Sequence, residues 1–332
     1  MTRPWPPGAA TGIGSLPGID PVEAARLVFG ELPDLPHVPE LPDRGVGADM
    51  IGRTAALLVD LPTEIAASGW RITARPGRDL RRARDLLAWD VDALEAAGQG
   101  YTGAVKVQVT GPWTLATAIE LASGHAVVSD PGAARDLADS LAEGVRGHVA
   151  DIAGRLPGAR VVVQVDEPAI DAVLGGRVPT PSGYGTVRSV AAGIVEQGLR
   201  TVLQAVPEGG RVVHCCANRV PFAVLRGAGA DALSIDASTL TVGAYDEVGA
   251  AIDAGLALWL GVVPSSGTAP DSAAARAVID ELWADLGFAF EQRANVVVPT
   301  PACGLAGATP SYARATMKLV REVGASLLVD DS

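Results

Sequence analysis

His214 and Cys216 stand two residues apart in the run Arg211-Val212-Val213-His214-Cys215-Cys216. An imidazole and a thiolate side by side are good zinc ligands. On an extended chain alternate residues share a face, so His214 and Cys216 point one way and Cys215 the other. Cys303, just before Gly304, supplies a second thiolate. Asp236, closing Ser234-Ile235-Asp236, can supply a carboxylate oxygen. Two sulfurs, one nitrogen and one oxygen make a four-coordinate site for Zn2+. Taken alone, His214 would also suit a satisfied core histidine, and the cysteines buried small hydrophobes. The four residues together, each at the end of an apolar run, point to the metal. Cys215 reads as structural.

A second polar group stands at Gln164-Val165-Asp166-Glu167-Pro168. Gln164 and Asp166 share a side of the strand, and a polar pair facing inward costs desolvation unless it binds something. Asp166 is therefore expected to contact a ligand, and Glu167 to have a structural role. Ile13-Gly14-Ser15 could form a small anion cradle from backbone N–H groups and a hydroxyl. A plain tight turn is the alternative there.

Positioning these residues falls to short Val- and Ile-rich runs at 104–109, 161–165, 211–215, 232–235, 256–263 and 294–298, with weaker ones at 10–14 and 69–74. Most are continuously apolar, as strands buried on both faces are. Helical patterns alternate with them at 20–30, 49–67, 79–97, 131–155, 186–206, 221–227, 241–254, 270–290 and 310–324, several opening on Pro or on Thr and Asp. Eight strand–helix repeats predict an α/β fold, a single (β/α)8 TIM barrel spanning 1–332. The rival doubly wound sheet would not need eight strands, and no GxGxxG follows the first. The Pro-rich stretch 32–47 has no period and reads as an excursion that walls the site. In such a barrel the polar strand ends converge at one mouth.

Composition narrows the partners. The 332 residues carry a net charge of −12, with 48% hydrophobic and 19% charged residues, a globular balance. An acidic chain repels phosphate backbones, so no nucleic acid is expected. No apolar run reaches the length of a membrane span, and residues 1–7 lack the apolar core of a secretory signal. Three cysteines do not make a disulfide framework and fit a reducing, cytoplasmic setting.

Taken together, Ile13-Gly14-Ser15, Gly69-Trp70, Thr110-Gly111-Pro112, the Gln164–Ala169 segment, His214-Cys215-Cys216, Ser234-Ile235-Asp236 and Cys303-Gly304-Leu305 resemble the catalytic barrel of cobalamin-independent methionine synthase. The pieces come in that family's order and span most of the chain, which is similar to the short, single-barrel members. The resemblance implies zinc held by His214, Cys216, Cys303 and Asp236, the last where the family usually has Glu. It implies homocysteine held by Ile13, Gly14 and Ser15 at its carboxylate and by Asp166 at its ammonium. The chemistry implied is activation of a thiol for attack on a methyl group.

Departures concern the methyl donor. The family's proton-donating histidine is replaced by Ser266, so no catalytic residue is assigned. The folate-contacting acid falls on Ala172, and the folate-stacking Trp has no counterpart beyond the offset Trp113. A further homocysteine-contacting acid falls on Arg44. The expectation is a zinc-dependent thiol methyltransferase whose donor is methyltetrahydrofolate or a methylcorrinoid, the latter possible on a corrinoid protein. The alternatives are alkyl transfer to another small thiol such as coenzyme M, or a non-catalytic zinc- or amino-acid-binding accessory barrel.

Overall fold

The computed structural model describes residues 3–269 and 271–329. Its strands are β1 (Thr63–Ala66), β2 (Gly69–Ile72), β3 (Ala104–Thr110), β4 (Ile119–Glu120), β5 (Arg160–Asp166), β6 (Arg211–Cys215), β7 (Ala232–Asp236), β8 (Ala257–Val263) and β9 (Val297–Pro301). The helices are α1 (Pro21–Glu31), α2 (Met50–Ala55), α3 (Arg78–Ala97), α4 (Pro112–Ala118), α5 (Pro131–Arg155), α6 (Ile170–Leu174), α7 (Ala192–Leu203), α8 (Phe222–Gly227), α9 (Tyr245–Asp253), α10 (Ser272–Leu286), α11 (Arg293–Val296) and α12 (Pro310–Ser326).

Six strands form a curled parallel sheet in the order β3-β5-β6-β7-β8-β9. Two extended segments close it. Residues 36–40 lie beside β3, with Val38 N–H donating to Lys106 O at 2.9 Å and Lys106 N–H to Pro36 O at 2.8 Å. Residues 10–16 lie between that segment and β9, through Leu16 N–H to Glu40 O at 2.8 Å and Thr11 N–H to Pro299 O at 3.3 Å. The ring therefore has eight members, and the fold is the TIM-like barrel expected.

Several expectations need correction. The run 69–74 is not the second barrel strand: β2 pairs antiparallel with β1 and parallel with β4 in a separate three-stranded sheet. The second position belongs to 36–40, inside the stretch read as an excursion, where Pro36 and Pro39 interrupt the apolar pattern. The last strand also begins later than 294, because Arg293–Val296 forms a helical turn. It continues through Pro299 and Pro301, residues that normally argue against a strand. The helix foreseen over 49–67 stops at Ala55, and Asp60 turns the chain at φ 57° before β1. The start of the pattern at Pro270 lies outside the described residues.

Period two organises the interior. Trp5, Ala9, Leu35, Ala104, Val162, Val212, Ala232, Ala257, Trp259 and Val298 form a buried cluster drawn from the six sheet strands and from residues leading into the two closing segments. Trp5 packs edge-on against Trp259 with ring centroids 5.1 Å apart and plugs that end. Two residues further along the strands the same face carries Lys106, Gln164, His214, Ser234 and Thr300, all buried. The opposite parity, with Val105, Val107, Val163, Val213, Cys215, Leu233 and Ile235, packs in the larger core beneath the helices. The barrel is thus apolar at its floor and polar toward its mouth, where the candidate residues stand.

Candidate active site

At the end of β6, His214 is buried and its neighbour Cys215 points into the outer core, as alternation requires. Burial pushes the Cys215 thiol up to about 12, so it stays protonated and inert. Cys216 and Cys303 come from different strand ends, 87 residues apart in sequence, with their sulfurs 3.7 Å apart. The candidate ligand atoms of His214, Cys216 and Cys303 all lie within 4.8 Å of one another. Sharing a proton with Cys216 holds the Cys303 thiol well below the ordinary range, while Cys303 and burial push Cys216 up.

These residues fit a zinc ion. Two thiolates on one tetrahedral zinc, each at about 2.3 Å, stand about 3.8 Å apart. His214 Nδ1 lies 3.0 Å from Ser234 Oγ on the adjacent strand β7, while its buried Nε2 has no hydrogen-bond partner. An imidazole fixed through one nitrogen and unsatisfied at the other is arranged as a ligand. Asp236 is not brought into this group. Its Oδ1 accepts from Ser238 N–H at 2.9 Å and Ser238 Oγ at 2.8 Å, capping the turn that follows β7.

The three candidate ligands face a cavity of about 290 Å³ that Ile13, Ser15, Glu40, Met50 and Asp166 also line. Asp166 ends β5, paired in register with Thr110 on one side and His214 on the other. Burial raises its pKa, opposed by His214, by the hydrogen bond from Gln164 and by Lys106. Gly14 has a φ of +155°, and a Cβ there would lie 2.4 Å from Gln108 Nε2, so the Ile13-Gly14-Ser15 segment needs its glycine.

Glu40 was missed in the sequence. The acid expected at position 44 is Arg44, whose guanidinium pairs with Asp90 at 2.7 Å. Glu40, four residues earlier, closes the second barrel position and lines the cavity beside Asp166. It is buried 3.5 Å from Arg53 Nε, and Arg53 is held in turn by Asp90. Burial pushes Glu40 up to about 7, with Arg53 opposing and Asp166 adding to the rise. A polar residue closing 36–40 was the available signal, hidden because that segment did not read as a strand.

Glu167 has the structural role expected. Its carboxylate accepts from the backbone N–H groups of Trp113 at 2.9 Å and Thr114 at 2.8 Å, and from Thr114 Oγ1 at 2.7 Å. An anion at the first turn of α4 suits the helix dipole. Gly111 makes room, since a Cβ there would lie 2.4 Å from the Glu167 carboxyl carbon. Trp113 is itself buried, with Nε1 donating to Val195 O at 2.7 Å, and is not among the residues lining this cavity. Ala172 packs half-buried against the core, and Ser266 is exposed in the loop after β8.

Among the described residues no helix is long and apolar enough to cross a membrane. No curated protein sequence matches the chain. Among solved structures, a B12-independent methionine synthase from Shewanella sp. W3-18-1 in complex with selenomethionine superposes with a TM-score of 0.65 at 11% identity, covering 97% of this chain and 98% of that one. This likeness shows the fold. The carboxyl transferase domain of Rhizobium etli pyruvate carboxylase, with 3-bromopyruvate, aligns at 12% identity over 72% of this chain and 45% of that one; its TM-score of 0.26 carries no argument. The family model described as the catalytic domain of cobalamin-independent synthase matches residues 8–326, nearly the whole chain, and the protein therefore belongs to that family.

Proposed function

We propose that this barrel is a zinc-dependent thiol methyltransferase that methylates homocysteine to methionine. The observation carrying this reading is one small cavity lined both by His214, Cys216 and Cys303 and by the buried acids Asp166 and Glu40. The first set suits a soft metal and a sulfur; the second suits an ammonium. His214, Cys216 and Cys303 would hold the zinc, with Asp236 as a fourth, labile ligand once its carboxylate leaves Ser238. Bound zinc supplies Lewis acidity that lowers the pKa of a substrate thiol.

The chain's own residues do the rest. Asp166 and Glu40 hold the substrate ammonium, and Ser15 with the Ile13 and Gly14 backbone meets the carboxylate. Arg53 and Lys106 help keep both acids ionised, since each lowers the pKa of a carboxylate it faces. Coenzyme M is disfavoured, because its sulfonate would face the same two carboxylates without an ammonium to satisfy them.

The methyl donor is methyltetrahydrofolate or a methylcorrinoid. Ser266, Ala172 and the buried Trp113 offer none of the folate contacts the family resemblance implies, which favours the corrinoid, free or on a partner protein. The test is methionine formation from homocysteine by the zinc-loaded protein, supplied in turn with methylcobalamin and methyltetrahydrofolate. Turnover with methylcobalamin is expected. Turnover with methyltetrahydrofolate alone would reverse the donor assignment, and none with either would leave an accessory barrel.

A further inference from the structure

Lys106 has no exposed surface, and beyond helping to keep two acids ionised it has been given no part in holding the substrate. Its Nζ donates to Ile13 O at 2.7 Å and to Gln164 Oε1 at 2.6 Å, with the Trp259 ring 6.0 Å away. Gln164, also fully buried, donates from Nε2 to the same Ile13 O at 2.8 Å and to Asp166 Oδ1 at 2.7 Å. An ammonium can only donate. The Gln164 carboxamide must therefore turn its oxygen to Lys106 and its NH₂ to Asp166. One cation thereby sets the direction of a whole chain of hydrogen bonds. Burial lowers the Lys106 pKa, while Asp166 and Glu40 support its charge.

We propose that Lys106 is a positioning residue for the amino-acid substrate, fixing through Gln164 both the aim of the Asp166 carboxylate and the place of the Ile13 carbonyl. The inference rests on the amino-acid reading given above. Without Lys106 the carboxamide is free to flip, which would set its oxygen against the carboxylate it now steadies. A buried ammonium is costly, and deleting it would leave the carboxylates it faces without their cation, so some loss of stability is expected as well. Discrimination between ligands, which a purely structural lysine would not govern, is what marks a positioning role.

The experiment compares wild type, Lys106→Met, Gln164→Met and the double variant, all zinc-loaded. Calorimetric affinity is measured for homocysteine and for 4-mercaptobutyrate, the same thiol acid without the ammonium. Each single variant is expected to weaken homocysteine by about 10- to 100-fold. Selectivity over 4-mercaptobutyrate should shrink, with zinc content preserved. The double variant should be little worse than Lys106→Met, because the two residues act in series.

Homocysteine affinity within threefold of wild type in Lys106→Met would overturn the proposal. So would equal losses for both thiols, or penalties that multiply in the double variant. If Lys106→Met does not fold, Gln164→Met decides by the same selectivity criterion. If wild type prefers neither thiol, the amino-acid reading itself fails, and this inference with it.

Discussion

Ser15 and Gly304 are in contact at the seam where the barrel closes: a Cβ at position 304 would lie 2.1 Å from the Ser15 Oγ. Leu305 N–H also donates to Ser15 O at 2.8 Å. The candidate metal ligand Cys303 and the candidate carboxylate cradle are thus locked together, although they stand near opposite ends of the chain. Sulfur and carboxylate of one substrate need such a fixed separation. Gly304→Ala should displace Ser15 and weaken methionine binding by about tenfold while zinc content stays unchanged. Calorimetry with metal analysis checks this, and an unchanged affinity would show that Ser15 does not hold the ligand.

The candidate metal ligands should differ in weight. Cys216→Ser replaces a thiolate with a hard hydroxyl and is expected to lose most bound zinc. Asp236→Ala should lower zinc affinity far less, because Asp236 Oδ1 is engaged with Ser238. Chelator competition measures both. Full retention in Cys216→Ser would remove that residue from the ligand set, and an equal loss in Asp236→Ala would make Asp236 a full ligand.

Asp166→Ala should keep zinc and weaken homocysteine by about 100-fold or more, the scale of a lost charge-assisted contact. The same change should leave binding of 4-mercaptobutyrate much less affected. A homocysteine affinity equal to that of wild type would dissociate Asp166 from substrate recognition.

The two acids also set a pH dependence. Burial raises both, Glu40 to about 7. A carboxyl attracts an ammonium only when ionised, and an α-ammonium stays protonated to about pH 8 in such company. Affinity for methionine, which has no thiol to titrate, should therefore rise between pH 5.5 and 8. Calorimetry across that range tests it; a flat or falling profile would mean that neither acid meets the ammonium.

The site was more legible than the ring that carries it. His214, Cys216, Cys303 and Asp166 could be placed at strand ends because apolar runs lead into them. Period two put His214 with Cys216 and Gln164 with Asp166, and it gave the outward turn of Cys215 seen in the structure. Glu40 was not legible, because Pro36 and Pro39 disguise the segment that brings it to the mouth. Pairing there depends on backbone groups of Val38 and Glu40, which side-chain pattern does not reveal. Gly69-Trp70 had the composition of a strand but lacked a barrel neighbour, and tertiary pairing rather than propensity placed it in the outer sheet. The Asp236 cap depends on Ser238, a local hydrogen bond that competes with any metal for the same oxygen.

The central claim is that one cavity joins a soft-metal centre to an amino-acid thiol. Zinc X-ray absorption on the purified protein, with and without homocysteine, tests it most directly. The account predicts two sulfur neighbours alone and three with homocysteine. A zinc shell that does not change on adding homocysteine, or a protein that binds no zinc, would contradict it.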